Sequence, residues 1–164
     1  MHFHSLSEQP YSLLDESLAQ HPDIAEQTVL GAVRTWLRPQ CDAVRKRESW
    51  RESLSEAGLS TDGLVSFGLV SFDLLMRSIM SMSRRPLDTR CRCASELAKD
   101  EAMLLQSIAL LQGMRSDEAI DLLDDWLPQP AVSVMLKVVR WFAIALLEAG
   151  LELTVRERRV SYMH

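Results

Sequence analysis

The stretch LVSFGLVSFDLLMRSIMSMSR, residues 64–84, is too apolar for an ordinary surface helix and too interrupted by charge to cross a membrane. At about 100° per residue, Ser66, Asp73, Arg77, Ser81 and Arg84 fall in one narrow polar stripe. Leu64, Phe67, Leu74, Leu75, Met76, Ile79 and Met80 take most of the remaining circumference. A helix apolar over so much of its surface needs neighbours on several sides, so the rest of the chain is expected to wrap around it. Thr61 or Asp62 is placed to cap this central helix and Arg85-Pro86 to end it, giving a span of about 62–84. GLVSF at 63–67 recurs at once at 68–72, but five residues advance a helix by about 500°, so the two copies present different faces. Gly68 in the interior costs about 1 kcal/mol against Ala and predicts a closely packed neighbour.

A second helix of the same design spans about 131–149, with Ser133, Lys137, Arg140 and Glu148 as the polar stripe of an otherwise apolar cylinder. These two are expected to pack against each other. Before them, residues 1–11 read as a loose arm, and Ser12 with Asp15 opens a short helix to about Gln20. A helix from Pro22 to about Leu37 follows, then a segment from about Gln40 to Ala57 that Ser49 and Glu52 divide with a second capping box, with Gly58 as its left-handed end. After the central helix come a helix over about 95–112, stopped by Gly113, and a short acidic one from Ser116 whose inner face is Ala119, Leu122, Leu123, Trp126 and Leu127. Trp36, Trp50, Trp126 and Trp141 all sit at apolar positions and read as core anchors. Residues 151–164 read as a tail or a short strand, because Leu151, Leu153 and Val155 alternate with polar residues. The expected fold is all-α, a single-domain bundle of six or seven helices around the central pair.

The helix pair from Ser95 to Leu127, with Gly113 between its members, Ala119 early in the second and proline after it, is loosely similar to one tetratricopeptide unit. The large aromatic and small residues that open such a repeat are absent, and the Gly-to-Ala spacing differs by one. The arrangement implies a peptide-binding helical module without assigning the family.

The composition is that of a globular chain, with 47% hydrophobic and 25% charged residues, far from the disordered regime. A net charge of −5 leaves no overall basic footprint for nucleic acid. The N-terminus lacks a basic region followed by an apolar run, and three cysteines do not complete a disulfide framework, so a cytoplasmic location is the expectation.

The richest chemistry lies in RRPLDTRCRC, residues 84–93. Arg84, Arg85, Arg90 and Arg92 surround Cys91 and Cys93 just ahead of an expected helix N-terminus, and both features favour thiolate over thiol. That is the chemistry of a redox or electrophile sensor. The plain alternative has the arginines cap a loop while one cysteine fills a small apolar gap. Cys91 and Cys93 with Cys41, or with His2 and His4, also form a candidate zinc or cuprous site, although no second matched ligand pair is present. No Glu-x-x-His pair, glycine-rich phosphate loop or nucleophile elbow occurs. Asp117, Glu118, Asp121, Asp124 and Asp125 line the start and outer side of one helix, where acids stabilise it, and form a candidate docking surface for a basic partner.

The first expectation is therefore a non-enzymatic interaction or regulatory protein, acting through an acidic or apolar helical face, with Asp117–Asp125 and the arginines at 84–92 as recognition surfaces, and forming a homodimer through a central helix or the alternating tail. The second is a thiol sensor or metal-binding protein using Cys91 and Cys93. A third is an unspecified ligand or cofactor held between the central helices.

Overall fold

The computed structural model describes residues 23–38, 49–60, 67–91 and 93–156. These form six α-helices and no strand: α1 (Ile24–Leu37), α2 (Trp50–Glu56), α3 (Gly68–Met82), α4 (Lys99–Gln112), α5 (Ser116–Trp126) and α6 (Gln129–Glu148). The all-α bundle expected from the sequence is what forms. The arm, the helix expected at 12–20, Cys41, Arg92, His2, His4 and residues 157–164 lie outside the described residues.

Local signals start the first two helices. The Asp23 carboxylate accepts from the Glu26 N–H at 2.8 Å while Glu26 accepts from the Asp23 N–H at 2.9 Å, and Ser49 with Glu52 closes the same reciprocal box on α2. Gly58, just past α2, has φ +111° and lies against Ala149 at the end of α6.

The helix expected over 62–84 begins only at Gly68, after Phe67 in a left-handed conformation (φ 43°). The reason is a crossing chain. Leu69 N–H donates to Ser60 O at 3.2 Å, and a Cβ on Gly68 would lie 2.6 Å from Leu59 Cδ2, so only glycine admits residues 59–60 over the helix start. The predicted close neighbour is thus Leu59, and Gly68 is a first residue instead of an interior one. Leu75, Met76 and Ile79 are buried as expected, whereas Phe67, Leu74 and Met80 are exposed, because α2 and α6 cover only one broad side of α3.

α3 and α6 do pack as a pair, with the Phe72 and Phe142 rings 5.2 Å apart and Trp50 of α2 on Phe72 at the same distance. Yet the most enclosed helix is α4, with 11 of 14 residues buried against eight of 15 in α3. α1, α5 and α6 surround it. Of the tryptophans, Trp126 is a buried anchor, while Trp36, Trp50 and Trp141 are half-buried. Length and composition would let α6 cross a membrane, but Val132, Met135, Val139, Phe142 and Leu146 are buried in the core.

Residues 151–156 form neither a strand nor a frayed end. After Gly150 (φ +83°) the chain runs extended along α4 with Leu153 buried. Gln112 donates to Leu151 O at 2.9 Å and accepts from Leu153 N–H at 2.7 Å; Gln106 donates to Thr154 O at 3.0 Å and accepts from Arg156 N–H at 2.8 Å. Two side-chain amides thus stand where a neighbouring strand would bridge the carbonyl before and the N–H after one residue. The alternating pattern was real, and its polar edge found helix side chains instead of a sheet.

Candidate functional site

Between α3 and α4, the described residues of 83–98 form no helix or strand. A connection longer than about 12–15 residues without secondary structure is uncommon in a compact domain and usually functional. This one is tied down along its length, and we call it the strap.

Arg84 N–H donates to Trp126 O at 3.1 Å, docking the strap on the end of α5. Asp100, in the first turn of α4, then accepts twice from the Arg85 guanidinium (2.7 and 3.1 Å), from Asp88 N–H (2.7 Å) and from Trp126 Nε1–H (3.0 Å). Burial alone would push the Asp100 carboxyl up, but the hydrogen bonds from Arg85, Asp88 and Trp126, with the Arg85 charge, hold it below the usual carboxylate range. Glu101 grips the next section. It accepts from Arg90 N–H at 2.9 Å, from Ala98 N–H at 2.9 Å, and from Arg34 of α1 in a bidentate pair at 2.9 and 2.8 Å. Arg34 and Glu101 are both buried, and two more Arg34 protons go to Ala94 O (2.9 Å) and Glu96 O (2.7 Å). Arg38, at the end of α1, donates to Arg90 O at 2.7 Å and Thr89 O at 3.3 Å.

The segment between these anchors carries the two thiols. Arg90 is held by both its N–H and its carbonyl, Ala94 by its carbonyl, and the Ala94 N–H closes a turn onto Cys91 O at 3.1 Å. Cys91 and Cys93 are free and exposed. Neither fills an apolar gap.

Two sequence expectations about their surroundings are corrected. α4 begins at Lys99 and not at Ser95, so the cysteines lie more than a helical turn ahead of its N-terminus, where the Glu101 carboxylate is already engaged with the Ala98 N–H. The arginine field is also divided among ion pairs: Arg85 with Asp100, and Arg90 with Asp88 at 2.9 Å and Glu96 at 3.7 Å, while Arg84 stays exposed. Among the described residues no three His, Cys, Asp or Glu side chains group to hold a metal. Cys41, His2 and His4 fall outside that set.

The acidic residues behave as a solvated outer face. Asp117, Glu118, Asp121 and Asp125 are exposed, Asp124 is partly so, and Arg115 hydrogen-bonds Glu118, holding its carboxyl below the usual range against slight desolvation. The Asp73–Arg77 pair forms within α3 at 2.8 Å, and Asp73 also accepts from Trp36 Nε1–H at 3.0 Å. Space between α3 and α6 is filled by Phe72, Ile79, Met135 and Phe142, all fully buried. An open cleft of about 400 Å³ lies elsewhere, between Ala109, Gln112 and residues 152–155.

Sequence reasoning missed Arg34, Asp100 and Glu101, which define the strap. With the helix expected from Ser95, Asp100 and Glu101 fall inside it and not in its first turn, and nothing local sets Arg34 apart. The available signal was the length of 83–98 against the absence of any pattern in it. No protein-family model, curated protein or solved structure matches the chain.

Proposed function

We propose that this chain is a non-enzymatic regulatory protein whose receiving element is the strap, with Cys91 and Cys93 as the groups that receive the signal. The observation that supports this is the display of two exposed thiols on a segment whose flanks are fixed by a buried ion pair. Burying Arg34 and Glu101 costs several kcal/mol of desolvation per ion, and the fold spends that cost on fixing a loop instead of filling a core. The test is timed alkylation of the folded protein read by intact mass. Cys91 and Cys93 react as open thiols in the native state; protection of both until the protein unfolds contradicts the proposal.

A second reading, protein interaction with a second copy as the partner, is favoured by a different observation. Val70, Leu74 and Met80 on α3 and Val134, Ile144 and Leu147 on α6 are all exposed. Light scattering after size exclusion tests it: a dimer that Leu74→Arg or Ile144→Arg dissociates supports the reading, and a monomer at micromolar concentration ends it.

A further inference from the structure

Residues 151–156 are held in the way a bound peptide is held. They form no helix or strand, and four hydrogen bonds tie their backbone to two side-chain amides of α4. Gln112 takes the Leu151 carbonyl and the Leu153 N–H, and Gln106 takes the Thr154 carbonyl and the Arg156 N–H. Those bonds use backbone atoms of the segment alone, so they read an extended chain and not its side chains. The spacing agrees: from Gln106 to Gln112 the helix rises about 9 Å, and the second clamped section repeats the first after three residues, about 10 Å of extended chain.

The receiving groups are also positioned independently of the segment. The Gln112 amide donates to Ala143 O of α6 at 3.3 Å, and the buried Glu26 carboxylate is fixed at the start of α1 by the Asp23 N–H at 2.9 Å. Selection among sequences falls to two positions. Leu153 is buried, and the Arg156 guanidinium closes on Glu26 at 2.8 and 3.3 Å, giving a buried carboxylate the cation it requires. The segment does not fill the space it occupies: an open cleft of about 400 Å³ lies against residues 152–155, bounded by Ala109, Gln112 and Gly113.

We propose that this groove along α4 is a recognition site for an extended peptide of the form leucine-x-x-arginine, and that residues 151–156 occupy it in cis until a partner protein's segment of the same chemistry displaces them. The acidic end of the groove, Glu26 with Asp23, selects the arginine; the glutamines accept any extended backbone between. Gly150, at φ +83° with open space where a Cβ would stand, is the joint at which the segment leaves. The site stands apart from the strap and uses neither thiol. A tethered occupant competes at an effective concentration of about millimolar, so an incoming peptide gains access when the tethered one is weakened or matched in concentration.

The test titrates a fluorescent peptide of residues 150–156 against the full chain and against a full chain carrying Leu153→Ser and Arg156→Ser, with anisotropy as the readout and circular dichroism as the check on folding. The peptide should bind the variant at least about tenfold more tightly than the unmodified chain. A peptide with alanine in place of Arg156 should bind the variant about tenfold more weakly, the worth of hydrogen bonds between charged groups. No binding to the folded variant, or equal affinity for both chains or of both peptides, overturns the proposal. The unmodified chain supplies a second measurement that does not depend on the variant folding. Unlabelled peptide at millimolar concentration should speed hydrogen exchange at the Leu153 and Arg156 amides of the chain and leave the Leu127 amide, bonded within α5 to Leu123, unchanged. Exchange unmoved at Leu153 and Arg156, or hastened at all three, overturns it as well. A dimer of the unmodified chain that the peptide dissociates would place a second copy's segment in the groove and overturn the assignment to a partner protein.

Discussion

Two segments without secondary structure lie against α4, and they are held by opposite means. The strap at 83–98 is fixed at the start of the helix by charge, through Asp100, Glu101, Arg34 and Arg85. The extended segment at 151–156 is fixed farther along by the neutral amides of Gln106 and Gln112, and only its outer end meets carboxylates, where Arg156 pairs with buried Glu26 and Thr154 donates to Asp23. Neutral amides hold a backbone with little desolvation cost and no response to pH. Charged clamps hold as firmly but fail abruptly when one partner is lost or titrated. Of the two, the strap alone carries thiols, Cys91 and Cys93, between its anchors.

The largest break in that comparison is Arg34→Ala. It leaves Glu101 buried without its partner, and a loss of about 3–5 kcal/mol in urea unfolding is expected. Gln112→Ala should cost less, about 1–3 kcal/mol, because it removes neutral hydrogen bonds to Leu151 and Leu153 and strands no charge. Acid separates the segments without mutation. The Asp100 carboxyl is depressed in the folded state, so its contribution is complete above the ordinary carboxylate value of about 4 and is lost as pH falls below that value through the folded one. The Asp88 amide, which donates to Asp100, should therefore lose protection against exchange, relative to its intrinsic rate, at a higher pH than the Leu153 amide, which donates to Gln112. Asp121→Asn on the exposed face of α5 sets the baseline and should change stability by no more than about 0.5 kcal/mol.

How much of this was legible follows the same division. Features decided within a few residues could be read: the Ser49–Glu52 box, Gly113 ending α4, the shared stripe of Asp73 and Arg77 and the inward alternation of Leu151, Leu153 and Val155. Features decided by distant chain could not. Leu74 and Met80 share the apolar arc of α3, but which part of an arc is covered depends on neighbours that no local period reports. The polar residues of α4 hid its place as the most enclosed helix, because Asp100, Glu101, Gln106 and Gln112 look solvent-facing until the segments they bind are in place. Within the candidate site the thiols themselves were legible. Their anchors were not, since Arg34 and Glu101 meet across 67 positions of chain.

The proposed function requires the strap, and not the tail, to answer to the state of Cys91 and Cys93. Hydrogen exchange resolved at the Arg90 and Leu153 amides, in thiol-reduced protein and again after treatment with oxidised glutathione, tests it most directly. The account predicts that Arg90 loses protection while Leu153 keeps it. Unchanged protection at Arg90 in protein shown by mass to be modified at Cys91 or Cys93, or equal loss at both amides, would contradict it.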